Sequence, residues 1–196
     1  MACFTGKGGF NLSNQSDWVQ ICEDVQERLL KITPLTVKSA KVLRSEILKS
    51  LIAARDDKFL KTESHQIHNL LKKTPSKDKG IIEITGGKRN FDRIREIPHF
   101  ERCDGCWFDF AILVNENFKD PQIIAFDFEI RFLKDNPTEF LRFDLNPLGH
   151  NNDDKGKRFH IHPGNDNLMI HASPMSPLEI LHLFLYDLKI PERPRS

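Results

Sequence analysis

The fold is decided by residues 122–133, QIIAFDFEIRFL, in which apolar and polar side chains alternate. The even-numbered positions are apolar from Ile124 to Phe132. The odd-numbered positions between them include three charged residues, Asp127, Glu129 and Arg131. Successive side chains of a strand point to opposite faces, so this segment predicts a strand with one apolar face and one charged face.

Three neighbouring segments repeat this alternation: residues 107–114, 139–145 and 158–162. The connections at 115–121 and 134–137 are short and rich in Asn, Asp and Pro, which favours hairpins over crossovers. We therefore expect the four segments to form an antiparallel sheet. The many Phe residues on their apolar sides are expected to form the core.

Helices are predicted before and after this sheet along the sequence. Ser176 and Glu179 have the spacing of a capping box, with Pro177 at the first helical position and a leucine-rich stripe after it. Upstream, helical periodicity begins near Asp17 and again at Pro34. The sequence thus predicts an α+β fold, with an antiparallel β-sheet packed on a C-terminal helix and a helical N-terminal region.

Two regions are expected, divided by the charged segment 72–79. Residues 1–75 form a basic helical N-terminal region, and residues 80–196 form the domain of the sheet and the C-terminal helix. Between Lys31 and Arg95 the chain has 16 Lys and Arg against seven Asp and Glu, whereas from Glu96 onward it has 11 against 17. A basic segment of this kind favours RNA or an acidic protein as partner.

No apolar run reaches the length of a membrane span, and the first residues lack the pattern of a signal peptide. A cytoplasmic location without membrane contact is the expectation. Four Cys are too few for a disulfide scaffold at this length. The pair Cys103 and Cys106 has metal-ligand spacing, but without a second pair it is interpreted as a turn with two free thiols.

The charged face of the sheet ends in a cluster of histidines. Beyond Asp127, Glu129 and Arg131, which are interpreted as supporting ion pairs, this face is predicted to carry Arg142, Asp144, Arg158, His160 and His162. His150 follows a Pro-Leu-Gly turn and can fold back over the sheet. Histidines at i and i+2 project from the same face of a strand, so both can contact one phosphate or one metal ion.

Three interpretations of this cluster stay open. In a metal-free ribonuclease, one His takes the proton of the ribose 2′-hydroxyl and another protonates the leaving oxygen, while Arg142 or Arg158 stabilises the phosphorane. In a metal site, His160 and His162 act with His150 or Asp144 as ligands. In a purely structural site, neighbouring carboxylates satisfy the imidazoles.

Two further patterns bear on nucleic-acid chemistry. Asp109, Glu129 and Arg131 have the order of a metal-dependent nuclease core, but Arg stands where a Lys is needed, and Arg cannot act as a base. The irregular stretch after Gly86 is basic, and it is expected to contact an RNA backbone through Lys88, Arg89, Arg93 and Arg95.

Residues 105–188 resemble the TumE-type toxins of bacterial toxin–antitoxin modules. The resemblance rests on the order Arg142-Phe-Asp144, Pro147, His150 and His160-Ile-His162-Pro163, followed by a leucine-rich helix that begins with Ser-Pro. Phe143 stands where that family has an aromatic hydroxyl. The resemblance implies RNA cleavage or another growth-arresting activity, and an antitoxin as partner.

The sequence therefore predicts a toxin-like ribonuclease that uses histidine acid–base chemistry without a metal or another cofactor. Its catalytic residues are predicted to be His150, His160, His162, Arg142, Asp144 and Arg158. The alternative is a non-catalytic nucleic-acid-binding or interaction subunit of a bacterial defence or regulatory assembly. RNA, an antitoxin or other protein, and a second copy of the chain are the candidate partners.

Overall fold

The computed structural model describes residues 19–21, 24, 34–134, 136–150 and 158–188. Within these residues one antiparallel sheet contains nine strands. They are β1 (Leu35–Thr36), β2 (Leu71–Pro75), β3 (Ile81–Gly86), β4 (Phe100–Glu101), β5 (Trp107–Asn115), β6 (Gln122–Arg131), β7 (Phe140–Leu145), β8 (Phe159–Pro163) and β9 (Ile170–His171). The main order is β2-β3-β5-β6-β7-β8-β9, with β1 beside β6 and β4 beside β5. The predicted antiparallel α+β fold is confirmed.

The described helices are α1 (Ala40–Asp56), α2 (Ser64–Leu70) and α3 (Pro177–His182), and a π-helical turn (Leu183–Asp187) extends α3. The capping box of α3 forms as predicted, since the Ser176 hydroxyl accepts the Glu179 amide proton and the Glu179 carboxylate accepts that of Ser176. In the described parts of the chain, no helix has the length and apolar character needed to cross a membrane.

Helix α1 begins six residues later than the Pro34 start that the sequence suggested. Its cap is Ser39, whose hydroxyl accepts the Val42 amide proton at 3.1 Å. Before it, Leu35 and Thr36 pair with β6, and the Val37 amide donates to the Pro121 carbonyl. Pairing with the sheet therefore holds this segment extended. Of the helix predicted near Asp17, residues 19–21 and 24 are helical, and the rest lies outside the described residues.

The segment at 72–75 is a strand rather than the start of a linker. All of β2 pairs with β3, from Leu71 opposite Gly86 to Pro75 opposite Ile82. Pro is tolerated there because β2 is the edge of the sheet and needs no donor on its outer side. Buried residues of α1, α2, the sheet and α3 belong to one hydrophobic cluster, so the core extends across the predicted boundary at residues 75–80.

Phenylalanine rings fill the apolar side of the sheet. Phe184, in the π-helical turn, lies 5.8 Å from the Phe108 ring, 6.2 Å from Phe128 and 5.9 Å from Phe143, measured between ring centroids. The buried Arg102 donates to the carbonyls of Phe184 and Leu188 and so caps this turn.

A β-bulge at the start of β6 shifts by one residue which side chains face the core, compared with the predicted alternation. The register shifts at Leu113 and Val114, so Ala125 lies opposite Leu113 while Ile123 lies opposite Val114. Ile123 is therefore in the core, at 4% exposure, and Ile124 is outside it. The apolar face of the strand begins with Ile123 rather than with the predicted Ile124.

The charged face is covered over much of its area. Asp109, Glu129, Arg131, His160 and His162 are each 2% exposed. The loop 87–99 between β3 and β4 lies over this face, as does the turn that contains Asp166. The sheet is thus buried on both sides near its histidine end, and its charged groups must satisfy one another.

Candidate functional site

Strand pairing brings together charged residues that are far apart in sequence. Across β6, β7 and β8, Asp127 lies opposite Asp144, and Asp144 lies opposite His160. In the next row Glu129 lies opposite Arg142, and Arg142 lies opposite His162. Side chains opposite each other in an antiparallel pair are close enough to interact directly.

Asp144 is the centre of the predicted histidine cluster. Its Oδ2 atom lies 3.3 Å from Nε2 of His162 and 3.6 Å from Nε2 of His160. The two imidazole centroids are 4.8 Å apart, and Nε of Arg142 donates to the same oxygen at 2.9 Å. Burial by itself raises the pKa of Asp144, but the His162 hydrogen bond and the Arg142 charge outweigh it and hold this pKa below its usual range.

Arg142 also connects Asp144 to two further carboxylates. Its NH1 nitrogen lies 2.6 Å from Oδ1 of Asp166 and 3.3 Å from Oε2 of Glu129. Arg93 contacts the same two carboxylates, Glu129 at 3.0 Å and Asp166 at 2.9 Å. Sequence reasoning missed Asp166, because an acidic residue in an Asn-Asp-Asn turn gives no signal of its partners.

Arg93 has an unusual backbone for a non-glycine residue, with φ of 55° in the left-handed region. Its guanidinium also stacks on the Phe140 ring, with 3.5 Å between Cζ and the ring centroid. A left-handed non-glycine residue costs on the order of 1 kcal/mol or more and persists where other contacts fix it. Here two carboxylates and an aromatic ring hold the side chain over the sheet.

Arg131, Asp109 and Glu129 form a closed network behind this site. The Arg131 guanidinium bonds to Asp109, and its Nε lies 2.8 Å from Oε1 of Glu129. It also donates to the Asn90 carbonyl at 2.7 Å and stacks on Trp107. Burial raises the pKa of Asp109 to about 7, although Arg131 opposes this. The contacts fit the predicted role of supporting ion pairs.

An open cleft of about 520 Å³ lies beside Asp144. The polar residues of its wall are Arg89, Asp127, Arg142, Asp144, Asn146, His150 and Asp166. His150 is exposed there, so it is the predicted site histidine that a ligand in the cleft contacts most readily. Asp127 is paired with Arg89, and burial nevertheless raises the pKa of Asp127 to about 6.

Arg158 is not placed with the histidines. Its Nε donates to the Asn146 carbonyl at 3.0 Å, and its NH2 donates to the Ile124 carbonyl at 3.1 Å. These bonds connect β8 to the ends of β7 and β6. The described contacts of Arg158 are thus with the backbone, and its expected role in stabilising a phosphorane has no geometric support.

Three arginines of the basic loop after β3 pair with carboxylates, although most residues of the loop are exposed. Of its predicted RNA contacts, Arg89 and Arg93 pair with carboxylates of the site, and Arg95 bonds to Glu101 at 2.8 Å. Lys88 is exposed. The loop closes through the Lys88 amide, which donates to the Pro98 carbonyl at 2.8 Å. Gly87 permits this approach, since its φ is +84° and a Cβ there would lie 2.8 Å from that same carbonyl oxygen.

The thiols of Cys103 and Cys106 are both free, as predicted. Cys103 is exposed, whereas Cys106 is buried beside the Arg102 and Asp104 pair. Burial raises the pKa of the Cys106 thiol to about 12. A thiol that stays protonated is a poor metal ligand and a poor nucleophile, so the candidate chemistry lies with Asp144 and the histidines.

No protein-family model matches this chain, and neither a curated protein nor a solved structure matches it. The resemblance to TumE-type toxins stays a prediction from the residues that carry it.

Proposed function

We propose that this chain is a toxin-like ribonuclease that binds RNA in the cleft beside Asp144 and cleaves it there. One observation carries the proposal. Asp144 and Arg142 line a cleft that also presents His150, and the Asp144 carboxylate lies within 3.6 Å of the buried His160 and His162 behind this wall. Imidazole, carboxylate and guanidinium groups around one cleft are the groups that phosphodiester cleavage requires.

The proposed reaction is transfer of the phosphodiester to the ribose 2′-oxygen. A base in the cleft takes the proton of the 2′-hydroxyl, and O2′ forms a bond to phosphorus. The bond from phosphorus to O5′ breaks, and a second group returns a proton to that oxygen, which gives a 2′,3′-cyclic phosphate and a 5′-hydroxyl. Each positioned proton donor or acceptor typically contributes about 10²–10⁴ in rate.

The exposed His150 is the first of these groups in the proposal, and the Asp144–His160–His162 unit provides the second. Arg142 stabilises the charge of the phosphorane, and Glu129 and Asp166 orient it. Helix α3 covers the apolar face of the sheet, and RNA reaches the charged face through the cleft beside Asp144. The protein acts in the cytoplasm, and an antitoxin-type protein or a second copy covers the cleft.

The alternative proposal is a nucleic-acid-binding or interaction subunit without catalysis. Lys72 and Lys73 on the edge strand β2 are exposed, as is Lys88, and none of them has an ion pair within the described residues. Exposed lysines of this kind bind a nucleic-acid backbone by charge alone, and the affinity then falls steeply with salt.

A cleavage assay separates the two proposals. A labelled RNA oligonucleotide and a copy with 2′-deoxy nucleotides are incubated with the wild-type protein, with His150→Ala and with a His160→Ala/His162→Ala double variant. The ribonuclease proposal expects a cyclic phosphate from the RNA only, and a loss of cleavage in both variants with binding retained. Salt-dependent binding without any cleavage by the wild-type protein would instead support the binding subunit.

A further inference from the structure

We infer that Asp144, His160 and His162 form a binding site for one divalent transition-metal ion, with Zn²⁺ as the best chemical match. The inference concerns the site of the proposed function and changes one role in it, since imidazole nitrogens bound to an ion do not transfer protons and a water on the ion takes over that step. Metal binding itself is measured without RNA. The inference names the ion class that the three side chains accept and the place where that ion contacts the cleft.

The spacing of the three side chains matches a small coordination sphere. Each residue offers one ligand atom, and these atoms all lie within 4.8 Å of one another. Oδ2 of Asp144 is 3.3 Å from Nε2 of His162 and 3.6 Å from Nε2 of His160. A tetrahedral Zn²⁺ with bonds of about 2.0–2.1 Å has ligands roughly 3.3 Å apart. Two of the three separations are close to that value, and the third is no longer than 4.8 Å, so a shift of the two imidazoles toward each other completes the site.

Unsatisfied atoms in two of the three residues, Asp144 and His162, are a second, independent observation. Within the described residues, Oδ1 of Asp144 and Nδ1 of His162 are buried and have no hydrogen-bond partner. Buried polar atoms are nearly always paired, so two such atoms in one small cluster call for an explanation. Oδ2 now faces both histidines and also accepts from Arg142. With an ion on Oδ2, Oδ1 becomes the acceptor for Arg142, and both oxygens of Asp144 then have a partner.

The surroundings supply the second layer of contacts that metal ligands normally have. Arg142 donates to Asp144 at 2.9 Å and fixes the orientation of this carboxylate. Hydrogen bonds of this kind around a ligand typically change metal affinity by about 10–100-fold. His160 and His162 are on β8, whose pairing with β7 fixes both imidazoles relative to Asp144.

The charge balance also permits a cation, although a guanidinium is adjacent. The charged network has five carboxylates, those of Asp109, Asp127, Glu129, Asp144 and Asp166, against four guanidiniums, those of Arg89, Arg93, Arg131 and Arg142. Arg142 is itself engaged by Glu129 and Asp166 as well as by Asp144. With all five carboxylates ionised, the formal charge of this network is negative by one before an ion binds.

Two imidazoles and one carboxylate select the class of ion. Imidazole nitrogen favours Zn²⁺ and its transition-metal neighbours over Mg²⁺ and Ca²⁺, which prefer oxygen ligands. Three protein ligands leave the fourth position of a tetrahedral ion open, as in catalytic rather than structural zinc sites. Asp144 is in the wall of the cleft, and His160 and His162 are buried behind it. We therefore place the open position on the cleft side of the ion, where a phosphate would bind.

The test is metal binding by the full-length chain after treatment with a chelator. Titration with Zn²⁺ by calorimetry, and with Co²⁺ by visible absorption, is expected to show one ion per chain and the spectrum of a four-coordinate Co²⁺ complex. His160→Ala and His162→Ala are each expected to lower the affinity by more than about 100-fold, beyond the effect of a lost supporting contact. Asp144→Asn keeps the shape of the side chain and is expected to weaken binding as well.

His182→Ala is the matched control, because His182 contacts the carboxylate of Asp187 at 3.1 Å in an exposed pair without a second histidine. Its affinity for Zn²⁺ should equal that of the wild-type protein. Circular dichroism shows whether each variant is folded, and a rise in the wild-type melting temperature with added Zn²⁺ tests binding without any substitution. Absence of stoichiometric binding by the wild-type protein, or equal binding by the His160→Ala/His162→Ala variant, overturns the inference.

The fate of the ribonuclease proposal is measured separately. RNA cleavage that persists in excess chelator, by a protein that does not bind Zn²⁺, overturns the metal site and leaves the proposed function intact. One bound Zn²⁺ per chain without cleavage of any RNA supports the metal site and contradicts the ribonuclease.

Discussion

Nε2 of His162 lies 3.3 Å from Oδ2 of Asp144, although the strand register places His162 opposite Arg142 rather than opposite Asp144. The contact is thus a diagonal one between neighbouring strands. His160 occupies the position directly opposite Asp144 and lies slightly farther from the same oxygen, at 3.6 Å. Diagonal neighbours on a sheet meet when the side chains are long, which is why an i, i+2 pair of histidines can share one acid.

Replacing His150 tests the proposed chemistry with the smallest structural change. His150 is exposed on the cleft, so His150→Ala should leave the free energy of unfolding within about 0.5 kcal/mol of the wild type. RNA cleavage should fall by about 10²–10⁴, the usual effect of losing a proton-transfer group. The rate of product formation under single-turnover conditions measures this, with His182→Ala as the exposed control that keeps full activity.

Arg142 is predicted to be a stabilising residue that Lys cannot replace. It is mostly buried and contacts Asp144, Glu129 and Asp166, whereas a Lys offers no planar fork for several carboxylates. Arg142→Lys should lower the free energy of unfolding by about 2 kcal/mol, as loss of buried hydrogen bonds to charged groups does. Urea unfolding measures the change.

Arg89→Lys is the control for Arg142→Lys. Arg89 makes its one described ion pair with Asp127, and its side chain is 50% exposed. Such a pair contributes less than about 1 kcal/mol. Equal losses in the two variants would show that the contacts of Arg142 with the three carboxylates add no stability.

The pH dependence of stability should show the buried Asp109. Burial raises its folded-state pKa from 3.8 to about 7, so the folded chain holds a proton in this interval that the unfolded chain does not. Lowering the pH through the interval should therefore raise the free energy of unfolding, with a limiting slope of about 1.4 kcal/mol per pH unit. Asp109→Asn removes this proton site, and urea unfolding as a function of pH should give a flatter profile.

At lower pH the sign reverses. The pKa values of Asp144 and Asp166 are held below 3.8, so the stability that their charges contribute is lost as the pH falls through those lowered values. A wild-type profile that falls steadily from neutral pH downward, with no gain above the ordinary Asp pKa, would contradict the role given to Asp109.

Phe184 tests how the C-terminal helix packs. Its ring contacts Phe108, Phe128 and Phe143 across the apolar face and is fully buried. Phe184→Ala should cost about 3–5 kcal/mol of stability, measured by thermal or urea unfolding. Phe118, which is 48% exposed, is the matched control and should change stability by about 0.5 kcal/mol or less when replaced by Ala.

The sequence predicted the sheet because period-2 alternation is a local property of each strand. It also predicted the capping box at Ser176 and Glu179, which depends on residues three apart. It did not locate the bulge, because Ile123 and Ile124 are both isoleucine and the pattern does not say which one faces the core. The number of apolar residues on the core face is the same whichever of the two isoleucines faces the core.

The sequence predicted only those contacts of the candidate site that lie within one strand or between neighbouring strands. The alternation of polar and apolar residues places four of the site's side chains on the charged face, where they contact one another: Arg142, Asp144, His160 and His162. Asp166 and the pairing of Arg93 with Glu129 depend on loops that return over the sheet from distant parts of the chain. The same alternation predicted Arg158 beside the histidines. Its guanidinium instead donates to the backbone carbonyls of Asn146 and Ile124 at the strand ends.

The closed loop from Lys88 to Pro98 has a consequence for how the charged face meets water. Arg89 and Arg93 of this loop pair with carboxylates of the sheet. One backbone hydrogen bond joins the two ends of the loop to each other. Salt screens its exposed pairs more than the buried ones. Rising ionic strength should therefore weaken the half-exposed Arg89–Asp127 pair before the buried Arg93–Glu129 pair. Amide hydrogen exchange at Lys88, whose N–H bonds to Pro98, should then report the opening of the loop before the sheet unfolds.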